Sequence, residues 1–121
     1  MQVIKTVLLI EELALSIQII TECLNEANIN VLSAQTLVEA TRLIETSLEI
    51  CDLVVICACL KSNSPNTQHL VRHIIAKDFN KPIIANTAIP EDARILIEAG
   101  ATHESTRGDV IDFIFTLLDR V

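Results

Sequence analysis

The sequence predicts a doubly wound α/β domain: a parallel sheet covered by helices on both faces. Three observations lead there. Short runs that are apolar at every position recur along the chain, at Val7-Leu8-Leu9-Ile10, Leu53-Val54-Val55-Ile56 and Pro82-Ile83-Ile84-Ala85. Strands apolar on both faces belong between two helical layers. The stretches between these runs carry apolar residues at helical spacing. The two kinds of segment alternate through all 121 residues, and 50% of the chain is apolar. That is enough for one continuous core, so a single domain over 1–121 is expected.

Each element has its own signal. Val7–Ile10 is the first strand. From Ala14 to Ala27, the residues Ile17, Ile20, Leu24 and Ala27 share one helical face, widened by Ile19 and Cys23. Asn30–Ala34 is a weaker strand, placed nearer a sheet edge. Leu37, Ala40, Ile44 and Leu48 mark the second helix. Thr36 is its expected N-cap, with Glu39 at capping-box spacing. Leu53–Ile56 is the third strand. Leu70, Val71, Ile74 and Ile75 mark the third helix, and Ser64-Pro65 predicts its start, with Pro65 in the first turn. Pro82 opens the fourth strand, where a missing N–H does least harm. Pro90-Glu91-Asp92 opens the fourth helix with carboxylates at its positive end, and Gly100 closes it. Ala101–Ser105 is a second weak strand. Asp109 starts the fifth helix, which is expected to run to about Arg120. The order βαβαβαβαβα implies right-handed crossovers. It predicts a three-layer (βα)5 sandwich with the flavodoxin-like strand order 2-1-3-4-5.

Composition removes several function classes. Nine Lys and Arg face sixteen Asp and Glu, a net charge of −7. Nucleic acid is not an expected partner, because binding phosphates needs a basic surplus. An anionic membrane surface is disfavoured by the same sign. No apolar run approaches the roughly 20 residues of a membrane span. The start Met1-Gln2-Val3-Ile4-Lys5 lacks the basic and apolar regions of a secretory signal. Four cysteines, Cys23, Cys51, Cys57 and Cys59, do not read as a disulfide framework, and a cytoplasmic setting is expected. Trp and Tyr are absent, and the only glycines are Gly100 and Gly108. With no Gly-rich phosphate turn, no nucleotide, flavin or other cofactor is expected. The sequence shows no output module, so the domain is expected either to act alone or to be a fragment of a larger regulator or hybrid kinase.

In such sheets the functional edge lies at the carboxyl ends of the strands, near the switch point between strands 1 and 3. Those ends deliver Glu11 and Glu12, then Cys57, then Asn86 and Thr87, then Thr106 and Arg107. Four stretches carry a family resemblance: Ile10-Glu11-Glu12, Asp52-Leu53-Val54-Val55-Ile56-Cys57, Pro82-Ile83-Ile84-Ala85-Asn86-Thr87-Ala88 and Glu98-Ala99-Gly100-Ala101. Over nearly its whole length the chain resembles the receiver domain of two-component response regulators. The resemblance implies an aspartate at the end of strand 3 that accepts a phosphoryl group from a histidine kinase. Here that residue is Cys57. It implies Lys-Pro after strand 5, where Arg107-Gly108 stands, and an aromatic switch residue in strand 5, where Glu104 stands. The acidic pair, usually containing Asp, is Glu11-Glu12. Thr87 matches the hydroxyl that contacts the phosphoryl group.

These departures set the expected chemistry. A thiol cannot form the acyl phosphate, and it is a poor ligand for a hard cation that wants oxygen. Glu11, Glu12, Cys57, Thr87 and Arg107 are therefore expected to form a degenerate acidic pocket with no catalytic residue, and the domain is expected not to be an enzyme. Two nearby carboxylates disfavour the thiolate and Arg107 favours it, so a neutral, sluggish thiol is expected. No metal is expected. Glu11 and Glu12 are the pair that would hold a divalent cation, but a pairing of Arg107 with Glu11 or Glu12 is the favoured reading. The alternative function is a thiol-based redox sensor using Cys57, with Cys59 two residues away. His69 and His73 have a zinc-compatible spacing without a third ligand and are read as an exposed helix face. On the fifth helix, apolar residues cover about half the circumference, more than facing a sheet requires. Ile111, Phe115 and Leu118, with Ile95 from the fourth helix, are the expected interface. The resemblance implies that the face of helix 4, strand 5 and helix 5 serves a homodimer or another signalling protein. The resulting expectation is a pseudo-receiver, acting by protein contact in two-component-type signal transduction without phosphorylation.

Overall fold

The computed structural model describes residues 4–118. Five parallel strands are β1 (Thr6–Ile10), β2 (Asn30–Ala34), β3 (Leu53–Ile56), β4 (Ile83–Asn86) and β5 (His103–Ser105). The helices are α1 (Ala14–Glu26), α2 (Leu37–Ser47), α3 (Gln68–Ala76), α4 (Pro90–Ala99) and α5 (Val110–Leu118), with a 3₁₀ turn at Leu48–Ile50. The strand order is β2-β1-β3-β4-β5, every pair parallel. This is the predicted flavodoxin-like (βα)5 arrangement. The expected run of α5 to Arg120, together with Val121 and the start Met1-Gln2-Val3, lies outside the described residues.

The strand pleat explains the wholly apolar runs. Leu8, Ile10, Val54, Ile56, Ile83 and Ala85 point to one face and pack with Ala40 and Ile44 of α2, Leu70 and Ile74 of α3, and Leu96 of α4. Val7, Leu9, Leu53, Val55 and Ile84 point to the other and pack with Ile20 and Leu24 of α1 and with Val110 and Ile114 of α5. Period-2 alternation thus feeds two cores at once. The central β1, β3 and β4 are fully buried, whereas β2 and β5 lie at the edges and are partly exposed. Among the described residues no helix is long and apolar enough to cross a membrane.

The termini of the elements follow local chemistry. Thr36 Oγ1 accepts the Glu39 N–H at 3.1 Å, while Glu39 Oε1 reaches back to the Gln35 N–H at 2.8 Å. That is the expected reciprocal cap, displaced by one residue on its return bond. Gly100 ends α4 at φ +131°, with its own N–H bonded to Ile97 O and the Ala101 N–H to Leu96 O, both at 3.0 Å. A Cβ there would stand 2.7 Å from Ile75 Cγ1, so only glycine fits without displacement.

Three boundaries depart from expectation. The third helix starts at Gln68 and not at Pro65. Asn66 Oδ1 accepts the Leu60 N–H at 2.8 Å and its amide donates to Leu60 O at 2.9 Å, while Thr67 Oγ1 donates to Cys57 O at 2.7 Å. These bonds hold 66–67 in the loop. β4 begins at Ile83, although Pro82 still joins the ladder through its carbonyl, which accepts the Val54 N–H at 3.0 Å. β5 begins at His103 because the Thr102 hydroxyl takes the Ile83 N–H at 2.8 Å, replacing a backbone ladder bond.

Candidate functional site

The register places one residue from each central strand in a row just beyond the sheet. Ile10 pairs with Ile56, Ile56 with Ala85, and Asn86 with Ser105. Glu11, Cys57 and Asn86 therefore stand side by side at the carboxyl edge. The Cys57 N–H donates to Ile10 O at 2.9 Å and the Glu11 N–H to Ala34 O at 3.0 Å, so both backbones remain tied to neighbouring strands.

Glu11 is the centre of the arrangement. Its side chain is fully buried, and its Oε2 accepts from Arg107 Nη2 at 2.7 Å and from the Leu13 N–H at 3.0 Å. Arg107 arrives from the loop between β5 and α5 with its side chain 46% exposed. The carboxylate holds the guanidinium more firmly protonated than an ordinary arginine. This charge-assisted bond joins residues 96 positions apart and links the loop after β1 to the loop after β5. Glu11 Oε1 and the Asn86 amide have no hydrogen-bonding partner among the described residues.

Cys57 is 4% exposed, and its Sγ donates to Cys59 O at 3.3 Å. Burial, and then the negative charge of Glu11, pushes the thiol up to about 12, against a smaller opposing pull from the Glu12 backbone and Arg107. The sulfur is therefore neutral at physiological pH, without the electropositive setting that makes a thiol reactive. Cys59 is also shifted upward, by burial first and then by Asp92 and Glu12. All four cysteines are free.

The other expected pocket residues are arranged less closely. Glu12 lies at the rim, where its Oε1 accepts the Lys61 N–H and its carbonyl accepts Gln35 Nε2 at 3.2 Å. Thr87 lies at the same edge, but its hydroxyl oxygen accepts the Ile89 N–H at 3.2 Å and serves the approach to α4. Glu104 is exposed in the middle of β5. Thr67 and Lys61 were not singled out in the sequence. A Thr directly ahead of a helical pattern is the sequence signal that points to Thr67; Lys61, at φ +54°, has none beyond its polar turn context. His73 pairs across to Glu45 of α2, whose other oxygen accepts from Lys77 Nζ at 2.8 Å, while His69 is exposed. His69 thus lies on the expected exposed face, whereas His73 is half-buried and engaged with Glu45.

A hard divalent cation does not fit this donor set. Magnesium wants a tight octahedron of oxygens. Here Cys57 offers a protonated sulfur, Arg107 and the Leu13 N–H hold Glu11 Oε2, and the Lys61 N–H holds Glu12 Oε1. Among the described residues no three His, Cys, Asp or Glu side chains are grouped to hold a metal.

The chain superimposes on a response regulator from Burkholderia pseudomallei with a TM-score of 0.80, at 16% identity, over 95% of this chain and 66% of that one. The fold is that of receiver domains. A signal receiver domain of an HD domain-containing protein from Pseudomonas fluorescens matches with a TM-score of 0.78, at 16% identity, over 96% of this chain and 95% of that one. The receiver domain of a Pseudomonas aeruginosa sensor histidine kinase matches with a TM-score of 0.76, at 20% identity, over 95% and 98%. No protein-family model and no curated protein matches the sequence. The Burkholderia protein carries a phosphorylated aspartic acid and a calcium ion, and the P. aeruginosa domain coordinates magnesium in its active-site cleft. In the receiver fold of the present chain, the end of β3 carries Cys57.

The residues expected at an interface are half-buried. Ile111, Phe115 and Leu118 pack against the α1/α5 core, and Ile95 is partly covered on α4. Packing against the core therefore accounts for part of the apolar width of α5. Phe113 also meets His103 edge-on, with ring centroids 5.4 Å apart. The larger exposed apolar side chains include Leu13, Leu15 (67%) and Ile19 near the start of α1, Val38 (79%) at the start of α2, and Ile89 before α4.

Proposed function

We propose that this domain is a pseudo-receiver, a module of two-component-type signal transduction that works by protein contact and is not phosphorylated at the end of β3. The observation that carries this reading is the buried, neutral Cys57 beside a carboxylate whose counter-ion is Arg107. Phosphotransfer at that position needs a carboxylate nucleophile and a bound cation, and the arrangement supplies neither. A basic side chain fixed to Glu11 replaces, within the protein, the positive charge a metal would bring. The same features speak against a redox sensor, since oxidation proceeds through the thiolate. In this reading the domain is not an enzyme, needs no cofactor, and works in the cytoplasm with a protein as partner and neither nucleic acid nor membrane.

The contact face in this proposal is α4, β5 and α5, engaging a second copy or another signalling protein through Ile95, Ile111, Phe115 and Leu118. Their partial exposure leaves apolar surface for a partner to cover. The decisive experiment is incubation with Mg²⁺ and either acetyl phosphate or beryllofluoride, followed by mass spectrometry and amide spectra. Unchanged mass and spectra are expected. A stable adduct, or shifts centred on Cys57 and Thr87, would overturn the proposal. For the contact face, Ile111→Asp should abolish self-association or partner capture while leaving the circular dichroism spectrum intact.

A further inference from the structure

The connection from β3 to α3 divides into a braced base and a lightly tethered tip. At the base, Thr67 Oγ1 donates to Cys57 O at 2.7 Å and lies 3.2 Å from Ala58 O, while the Asn66 N–H donates to Ala58 O at 2.9 Å. The Asn66 side chain closes on both backbone groups of Leu60, and Ala58 and Leu60 are buried in the α2/α3/α4 core. The tip, 61–65, is different. Ser62 Oγ donates to Ser64 O at 2.9 Å and accepts the Ser64 N–H at 3.2 Å, both within the tip itself. Among the described residues, one hydrogen bond joins the tip to another segment: the Lys61 N–H donates to Glu12 Oε1.

That bond is opposed by the backbone that makes it. Lys61 stands at φ +54°, in the left-handed region, where its Cβ crowds the following carbonyl. The other non-glycine residues there, among those described, are Asn28 and Asp78, whose short polar side chains tolerate it. Lysine has no such compensation. The bond to Glu12 therefore holds the tip in a conformation that its own sequence disfavours. One hydrogen bond and one left-handed residue are of similar size and opposite sign, so neither position of the tip lies far below the other.

We infer that 61–65 is a strap with two positions, latched by Glu12. Its hinges are the two limits of the braced base, next to Leu60 and Asn66. When the latch opens, Lys61 returns to an ordinary backbone conformation and the Glu12 carboxylate is released at the edge where Cys57 and Arg107 lie. The two consecutive glutamates thus have separate tasks: Glu11 holds Arg107 of the loop after β5, and Glu12 holds the strap after β3. The strap does not depend on the signalling role proposed above.

The test is amide hydrogen exchange and amide-shift mapping of the whole domain, in the parent and in two variants of opposite expected sign. Glu12→Ala removes the acceptor. The protection factor of the Lys61 amide should then fall by about two- to tenfold, the range for one net hydrogen bond, and its proton should move upfield. Lys61→Asn keeps the N–H and eases the left-handed backbone, so protection at position 61 should rise by about twofold or more. Exchange at 66–67 and 105–109 should match the parent in both variants, which separates release of the strap from general loosening. Unchanged protection at 61 in Glu12→Ala, unchanged or lower protection there in Lys61→Asn, or faster exchange at 66–67 and 105–109 in Glu12→Ala would overturn the inference.

Discussion

Replacing Arg107 with Met tests whether the guanidinium neutralises a buried charge or merely decorates the surface. Methionine keeps an apolar stem but removes the charge and the 2.7 Å bond to Glu11 Oε2. Glu11, fully buried, is then left with only the Leu13 N–H at 3.0 Å. Breaking a fully buried pair typically costs about 3–5 kcal/mol. Arg107 is nearly half exposed, so water reaches the pair and the cost is lower, nearer the about 1.5–3 kcal/mol of a hydrogen bond to a charged group. A loss of about 1–3 kcal/mol is expected in urea-induced equilibrium unfolding at neutral pH. Glu11→Gln removes the need for a counter-ion while its side-chain oxygen still accepts the Leu13 N–H. The double variant Arg107→Met with Glu11→Gln should therefore be more stable than the sum of the singles implies, with a coupling of about 1 kcal/mol or more. An Arg107→Met variant within about 0.5 kcal/mol of the parent, a change ordinary for surface sites, would refute the argument. So would zero coupling in the double variant.

Three further outcomes follow from the same geometry. Cys57 titrates near 12 in the folded chain, well above an unfolded cysteine, so its contribution to stability is complete below about pH 8.5 and is lost as pH rises through about 12. Within that window the loss is about 1.4 kcal/mol per pH unit per thiol, and Cys57→Ala should flatten the fall in urea midpoint between pH 8 and 10 without abolishing it, because Cys51 is also pushed up, to about 11. An identical slope in parent and variant would contradict the assignment. Gly100→Ala should destabilise by about 1–3 kcal/mol, since it combines φ +131° with a Cβ 2.7 Å from Ile75 Cγ1; thermal unfolding reads this directly. Thr67→Val, of equal shape, removes the hydroxyl bonded to Cys57 O at 2.7 Å and Ala58 O at 3.2 Å, and should cost about 1–3 kcal/mol while speeding amide exchange in the loop after β3.

What the sequence determined alone was the layer architecture. Strands apolar at every position, separated by helices with one apolar face, admit few arrangements, and the right-handed crossover rule selects among them. Val7–Ile10 and Leu53–Ile56 are legible because burial on both faces forbids polar residues, and Gly100 is legible because its backbone conformation excludes a side chain. The place of Cys57 at the end of the third strand is also legible in the sequence, as is the arrival of Glu11 and Arg107 at one edge. Tertiary structure decided which carboxylate Arg107 selects, how deeply Cys57 is buried, and that Thr67, not Pro65, organises the approach to α3. It also decided that α5 uses part of its apolar width against its own core. Those outcomes depend on distances between segments remote along the chain and on competition for the same donors and acceptors. Neither periodicity nor spacing encodes them, because each bond forms only after the sheet has brought its ends together.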